Sequence, residues 1–468
     1  MKGIVDFRFK NIKEGNQIES SEITLDNGKT WMTISEFVSK LDEWETPLMF
    51  VRQLNYTFAI IEKELLKQGY ICKYCVDRGK GFHPYSSKLK EKTYAPIIFG
   101  KRRKCYYVRF SKFKMYDAEK WLGNGVYRNP FSLLTSNEYA GLLKYSERKY
   151  LMSTPAKEAW RDFTLLPLSS EVDEQIYKDI EKGIQGGIIS GEYSFHIIGW
   201  HYDITSMYPY ILSTIDYFPN LLKAEYLTVP EMPDHDHYAY WIAPGMHCNT
   251  MTQEIIPVGS IKAPLTKVNC YKARALELYL DKRDAIKGTL QYDISKLKVN
   301  SFIGKIIQRT NLSESFYPYM GSDEGRVKGH YDVNKRERQV GEYTYLIAKA
   351  RQYILEIMQA AREIVPDIKF FQINTDGFFT DKPIPYDEEK WLGSLRQEYI
   401  GHNIHVFACN QYACDEEVCI AGLPKSLYVP GQIEYKFLTF SWSKEKNCYI
   451  YKCKKLTLGE KNELQEEN

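Results

Sequence analysis

The chain has 468 residues, enough for two or three domain cores, which excludes a single small module. With 44% apolar and 26% charged residues it reads as globular, without low-complexity tracts and without a run of the ~18 apolar residues that a membrane span needs. A net charge of +3 neither requires nor excludes a polyanionic partner, and 10 cysteines in this length are too sparse for a disulfide framework.

In chain order, GIVDFRF reads as a strand, and a helical period follows from Thr46 to Gly69. Twelve Lys and Arg lie between Arg78 and Lys114 against the one acid Glu91, interleaved with Phe82, Tyr85, Tyr94, Phe99, Tyr106, Tyr107, Phe110 and Phe113. Cations and flat rings in one segment suit a nucleic-acid surface, with Lys101, Arg102, Arg103 and Lys104 at its centre; a solvated basic face is the alternative. Cys72, Cys75, His83 and Cys105 lack a second clean pair, so free thiols are favoured over zinc. Met1–Lys10 has no apolar signal-peptide core, which predicts a cytoplasmic protein.

A second region opens near Leu168, and Gly186-Gly187 mark a joint after a helical segment. HIIGWHYDI reads as a strand ending at Asp203, followed by a turn and a helix at SMYPYIL. Pro230–Lys267 reads as irregular. Two helices, YKARALELYLDKRDAIKG and DISKLKVNSFIGKII, precede a basic, turn-rich stretch from Ser313 to Gly341. A long amphipathic helix then ends before Pro366, and KFFQINTDGFFTD reads as strand, turn and strand with Asp376 at the tip.

Carboxylates at two strand ends can converge, and paired carboxylates are oxygen ligands of the kind Mg²⁺ takes in two-metal phosphoryl or nucleotidyl transfer. Between Asp203 and Asp376 in sequence lie cationic helix segments whose side chains are spaced to share faces: Arg283 with Lys287, and Lys296 with the amide of Asn300.

Asp203-Ile204-Thr205-Ser206-Met207-Tyr208-Pro209 resembles the D-x-x-S-L-Y-P motif of family B DNA polymerases. Lys296 to Gly304 resembles K-x-x-x-N-S-x-Y-G, and Asn374-Thr375-Asp376-Gly377 resembles D-T-D-S, in the family's order. Ile184-Gln185-Gly186-Gly187, Ala350-Arg351 and Cys419 to Leu423 resemble segments of the protein-primed, bacteriophage-type branch. The resemblance implies an α/β (α+β) right-hand fold with palm, fingers and thumb behind an N-terminal RNase H-like exonuclease domain. The implied division is 1–168 exonuclease-like, 169–229 and 344–425 palm, 230–267 and 306–343 insertions, 268–305 fingers and 426–468 thumb.

By the same resemblance, Asp203 and Asp376 are catalytic and hold two Mg²⁺ ions, with Mn²⁺ as a substitute and the Ile204 carbonyl assisting. Tyr208 packs under the sugar, Lys296 with Arg283 and Lys287 holds the triphosphate, and Asn300 lines the nascent pair. Gly186, Gly187, Arg351 and Tyr412 contact DNA. The implied partners are template and primer DNA, dNTPs and a terminal priming protein, with no membrane, in the host cytoplasm where the source is viral. Ile303 replaces the motif tyrosine, Asn374 the first acid of D-T-D, and Asn410 the lysine of K-x-Y. The N-terminal domain departs further: Arg8 stands in place of the glutamate of D-x-E, Gln53 and Thr57 in place of Asn and Asp, and no aspartate lies between Asp117 and Asp162. That is the pattern of a degenerate nuclease. The readings left open are a templated DNA polymerase without proofreading, a weakly templated or terminal nucleotidyltransferase, and a non-catalytic nucleic-acid-binding homologue.

Overall fold

The computed structural model describes residues 1–9, 20–25, 28–52, 54–72, 89–99, 104–122, 134–148, 154–159, 172–191, 195–268, 270–307, 315–317, 327–329, 339–386, 391–408, 411–414, 418–420, 422–423, 427–443 and 448–458. Lys101, Arg102 and Arg103, with much of the basic aromatic segment, lie outside them. So do Gln53, Cys75, His83, Asn410, most of Ser313–Gly341, and the side chains of Arg8, Lys104 and Cys105.

The N-terminal elements that matter are β1 (Ile4–Phe9), β2 (Leu48–Val51), α1 (Leu54–Lys67), β3 (Lys114–Asp117) and α2 (Ser136–Ser146). The three strands belong to an eight-stranded sheet in which β1, β2 and β3 are parallel neighbours. A strand buried on both faces is a short continuous apolar run, and β2 reads LMFV with all four residues buried. Its period of two divides the core: Met49 and Val51 pack with Phe37 and Phe58, while Leu48 and Phe50 pack with Trp121 and Leu142. The helix expected from Thr46 is therefore a strand and then α1. Short apolar runs do not separate the two states by periodicity, and here pairing with β1 and β3 decides.

The second body contains α3 (Glu174–Lys182), β4 (Phe195–Ile204), α4 (Met207–Thr214), α5 (Cys270–Arg283), α6 (Leu290–Ile306) and α7 (Val340–Ile364). It continues with β5 (Phe370–Asn374), β6 (Gly377–Thr380), β7 (Leu395–Ala408) and β8 (Gln411–Ala413). Its seven-stranded antiparallel sheet runs Val418–Ile420, β8, β7, β4, β6, β5, Ile189–Gly191. The helices cover one face. Tyr202 and Ile204 of β4 share a core with Ile211 of α4, Phe302 of α6 and Ile354 of α7. The opposite face carries Phe379, Ile404, Val406 and Tyr412, and His201 stacks on Phe379 at 4.5 Å between ring centroids.

A five-stranded sheet spans Tyr217–Pro219 to Ile261–Lys267, so much of the stretch read as irregular is paired strand. The two bodies meet through α6. Leu290 and Ile294 pack with Leu142 and Tyr145, and a Cβ at Gly141 would come within 2.5 Å of Leu290, so only glycine lets α2 approach this closely. Strands Glu434–Ser443 and Cys448–Thr457 pair with each other antiparallel. Among the described residues no helix is long and apolar enough to cross a membrane.

Candidate active site

Asp203 is the penultimate residue of β4. The alternation of a strand places it on the face of His201, away from the helix-covered face of Tyr202 and Ile204. It lies opposite Gly377 on β6 and opposite Arg396 on β7. The β5–β6 turn pairs Asn374 with Gly377, leaving Thr375 and Asp376 at the tip, and Thr375 takes a left-handed φ of 66°. That tip is sewn to its neighbours: Ile204 N donates to the Asp376 carbonyl at 2.7 Å, and Thr375 N donates to the Ile188 carbonyl at 2.7 Å. Both aspartates thus sit on adjacent strand ends. Gly377 keeps the space beside them open, since a Cβ there would lie 2.9 Å from the Tyr202 carbonyl and 3.5 Å from Asp203 Oδ1.

Burial pushes the Asp376 carboxyl up to about 7, and the Asp203 charge adds to the rise. Burial also raises Asp203, opposed by its hydrogen bond to Arg396 and by that residue's charge. Two partly desolvated carboxylates, one raised further by the charge of the other, are in want of a cation. Their donor set is all oxygen, which fits Mg²⁺ or Mn²⁺ rather than a soft metal. Among the described residues no group of three or more His, Cys, Asp or Glu forms a metal cage, so the fit rests on this pair.

The cations beside the pair differ from those expected. Lys282 Nζ donates to Ser206 Oγ at 2.9 Å, and burial, then Lys296 and Arg396, hold its pKa below the usual lysine value while Asp203 opposes them. Arg283 is exposed and ion-paired with its neighbour Asp284 at 3.0 Å, and Lys287 is exposed beyond the end of α5. A sequence signal for Lys282 exists. Tyr271, Ala275 and Leu278 form the buried stripe of α5, and Lys282 continues it one turn on, whereas Arg283 falls off it. Lys296 and Asn300 project from an exposed face of α6, with Lys296 close enough to act on Lys282.

Arg396 and Glu398 were also outside the sequence reading. Arg396 Nη2 donates to Asp203 Oδ2 at 2.5 Å and is ion-paired with Glu398.

Tyr208 is half-buried in α4, and burial, reinforced by Asp376, raises its phenol pKa. A Cβ at Gly187 would lie 3.0 Å from the Tyr208 hydroxyl and 2.7 Å from Thr375 Cγ2, whereas one at Gly186 would meet nothing within 4 Å. Arg351 of α7 fixes this joint, donating from Nε to the Gly186 carbonyl at 3.0 Å and from Nη1 to Gln185. Gly186, Gly187, Arg351, Tyr208 and Asp376 are therefore one neighbourhood.

Two residues fall elsewhere. Ile303 is 7% exposed and packs within the main core between helices. Tyr412 is 8% exposed, its ring against Phe379 and near His201, which makes it packing on the sheet face rather than an open contact.

In the N-terminal sheet, Arg52 directly follows β2 and lies between acids from the neighbouring strands. It reaches Asp6 on β1 at 3.2 Å and Glu119, just beyond β3, at 2.8 Å, with its own side chain 2% exposed. Asp6 is the acid of D-x-E that the N-terminal motif retains. In the structure Glu119 shares its guanidinium, and burial pushes Asp117 nearby up to about 6.

No protein-family model matches the sequence, and no curated protein does. Solved structures do. Phi29 DNA polymerase with primer-template DNA and incoming nucleotides matches with a TM-score of 0.60 at 12% identity, covering 98% of this chain and 100% of that one. The same polymerase with single-stranded DNA gives 0.63 at 12%, and its post-translocation binary complex with primer-template DNA gives 0.64 at 13%, with the same coverage. At such identity the likeness concerns the fold, and the chain has a DNA-polymerase-like fold over nearly its whole length.

Proposed function

We propose that the protein is a DNA-directed DNA polymerase that adds dNTPs to a primer 3′-OH. The observation that carries this reading is the convergence of Asp203 and Asp376 on adjacent strand ends, flanked by Lys282, Lys296 and Arg396, within a polymerase-like fold. In this reading the two aspartates, with the Ile204 carbonyl, hold Mg²⁺ or Mn²⁺; bound there, the metal supplies charge stabilisation for an in-line displacement at phosphorus. Lys282 and Lys296 neutralise the triphosphate, replacing the assignment to Arg283 and Lys287. Tyr208, wedged against Gly187, walls the sugar and discriminates against a ribose 2′-OH. Gly186, Gly187 and Arg351 carry the template strand across the joint.

The N-terminal domain serves as scaffold and strand-binding surface without 3′–5′ hydrolysis. Support comes from Arg52, whose guanidinium already pairs with both Asp6 and Glu119. A terminal protein as natural primer belongs to this reading on the sequence resemblance alone.

Primer extension tests it. Labelled primer-template with dNTPs and Mg²⁺ or Mn²⁺ should give template-directed extension, and a single-stranded primer without template should give none. Protein that binds primer-template yet adds no nucleotide under either metal overturns the reading; equal extension without template replaces it by a terminal transferase.

The joint gives a paired prediction. Gly187→Ala must displace either the hairpin tip bearing Asp376 or the Tyr208 ring, and misplacement by about 1 Å near reacting atoms costs up to ~10²-fold in rate. Incorporation should fall at least tenfold, while Gly186→Ala, with open space around its Cβ, should remain within about twofold. Equal rates for the two variants in a single-turnover assay would remove Gly187 from this role.

A further inference from the structure

We propose that Arg396 is a built-in cation that holds the Asp203 carboxylate while the site is metal-free and is passed to Glu398 when a divalent ion binds. The protein's own guanidinium then competes for its metal site. This rests on the polymerase reading of Asp203 and Asp376, and goes beyond it by giving Arg396 and Glu398 a task.

Strand pairing brings these residues together. Arg396 and Asp203 are directly opposite on β7 and β4, where side chains of unlike charge meet. Just beyond, the register slips: Tyr202 pairs with Gln397 but His201 pairs with Tyr399, leaving Glu398 as an extra residue on β7. Such a bulge re-aims a side chain, and bulges are common beside active sites. Here Glu398 and Asp203 both reach the same Nη2 of Arg396.

The guanidinium therefore has two carboxylate partners and one of them is wanted elsewhere. Asp203 is the more enclosed, its side chain 20% exposed against 31% for Glu398, so transfer to Glu398 moves the cation toward solvent. Arg396 Nε is buried without a hydrogen-bond partner among the described residues, so the metal-free pairing leaves one donor of the fork unsatisfied. Arg396 also acts on Asp376 and Lys282, so its position bears on both aspartates and on the neighbouring lysine. A fixed structural pair needs none of this. It would use the whole fork on one carboxylate, as bidentate Arg pairs do.

Mn²⁺ binding to the whole protein, free of DNA and nucleotide, reads the competition directly through the EPR signal of unbound Mn²⁺. Arg396→Gln should bind Mn²⁺ at least tenfold more tightly than the native protein. Glu398→Gln should bind it several-fold more weakly, because the guanidinium then has nowhere else to go. In the Arg396→Gln background, Glu398→Gln should change affinity by less than about twofold.

Unchanged or weaker Mn²⁺ binding by a folded Arg396→Gln overturns the competition. Equal weakening by Glu398→Gln in both backgrounds overturns the transfer, since Glu398 would then act as a ligand or a plain charge. If Arg396→Gln does not fold, Glu398→Gln alone carries the test, and unchanged binding overturns the proposal. Asp203→Asn separates this from the reading beneath it. Mn²⁺ binding indifferent to Asp203→Asn removes the metal site itself, whereas binding that needs Asp203 but ignores Arg396 removes only the role of Arg396.

Discussion

Asp376→Asn should abolish nucleotide incorporation and at the same time raise the melting temperature of the metal-free protein. The loss follows from removing a metal-holding carboxylate. Charge stabilisation worth several kcal/mol of barrier corresponds to a fall on the order of 10³-fold or more, with DNA binding within a few-fold of native. The gain follows from the same carboxyl's cost to folding. Its folded pKa of about 7 lies above the value of ~3.9 for an unfolded aspartate, so between those pH values the folded state holds a proton that the unfolded state has released. Stability conferred by that proton is lost as pH rises through this window, and above it the full penalty is present. Asparagine has the same shape without the charge, so the stability difference between variant and native protein should be near zero at pH 4. It should grow to a few kcal/mol at most above pH 7, read by thermal melts in EDTA. Asp203→Asn should lose activity equally but gain less, because Arg396 already compensates that carboxylate. Native-like extension by either variant would sink the assignment; an unchanged melting temperature of Asp376→Asn across this pH range would show that burial and the Asp203 charge do not make this carboxylate costly to folding.

What was legible in the sequence, and what was not, divides along the range of the interactions. Asp203 and Asp376 could be placed because each ends a local strand pattern inside a spaced motif, and the strands that carry them are neighbours. Arg396 could not, because its position opposite Asp203 depends on a pairing that closes almost two hundred residues of chain, and Glu398 depends on a bulge that no alternation reveals. Arg283 and Lys282 are adjacent letters of equal charge; only the buried stripe of α5 separates them, and i, i+4 spacing between cations alone selects the exposed face that carries Arg283. Ile303 and Tyr412 were read from their places in motifs. Tertiary packing decides their exposure: α6 turns Ile303 into the main core, and the sheet turns Tyr412 onto Phe379. The run LMFV shows the same limit within the fold, since four apolar residues have no period long enough to distinguish strand from helix.

Arg52→Ala should be among the most destabilising single substitutions in the N-terminal domain. The guanidinium is 3% exposed as a residue and joins Asp6 to Glu119, whose side chains are 16% and 11% exposed. Breaking a buried ion pair by removing one partner costs ~3–5 kcal/mol, because the guanidinium's compensation of the buried carboxylates is lost, here of Asp6 and Glu119 near a third acid, Asp117. A loss of that size lowers the melting temperature of a domain of 150–250 residues by roughly 6–20 °C. Arg52→Met with Asp6→Asn and Glu119→Gln should recover most of it, since replacing an entire buried ionic group by uncharged side chains is often close to neutral. A cation supplied from outside gives the sharper comparison. If Arg52 occupies the place between acids that a divalent ion could otherwise take, millimolar Mg²⁺ or Mn²⁺ should raise the melting temperature of Arg52→Ala well above its value in EDTA and leave the native N-terminal transition nearly unmoved. The native protein should show no metal-dependent trimming of single-stranded DNA from the 3′ end. Trimming that survives Asp203→Ala and disappears with Asp6→Ala would mean that Arg52 does not silence these acids, and that the domain is a working nuclease.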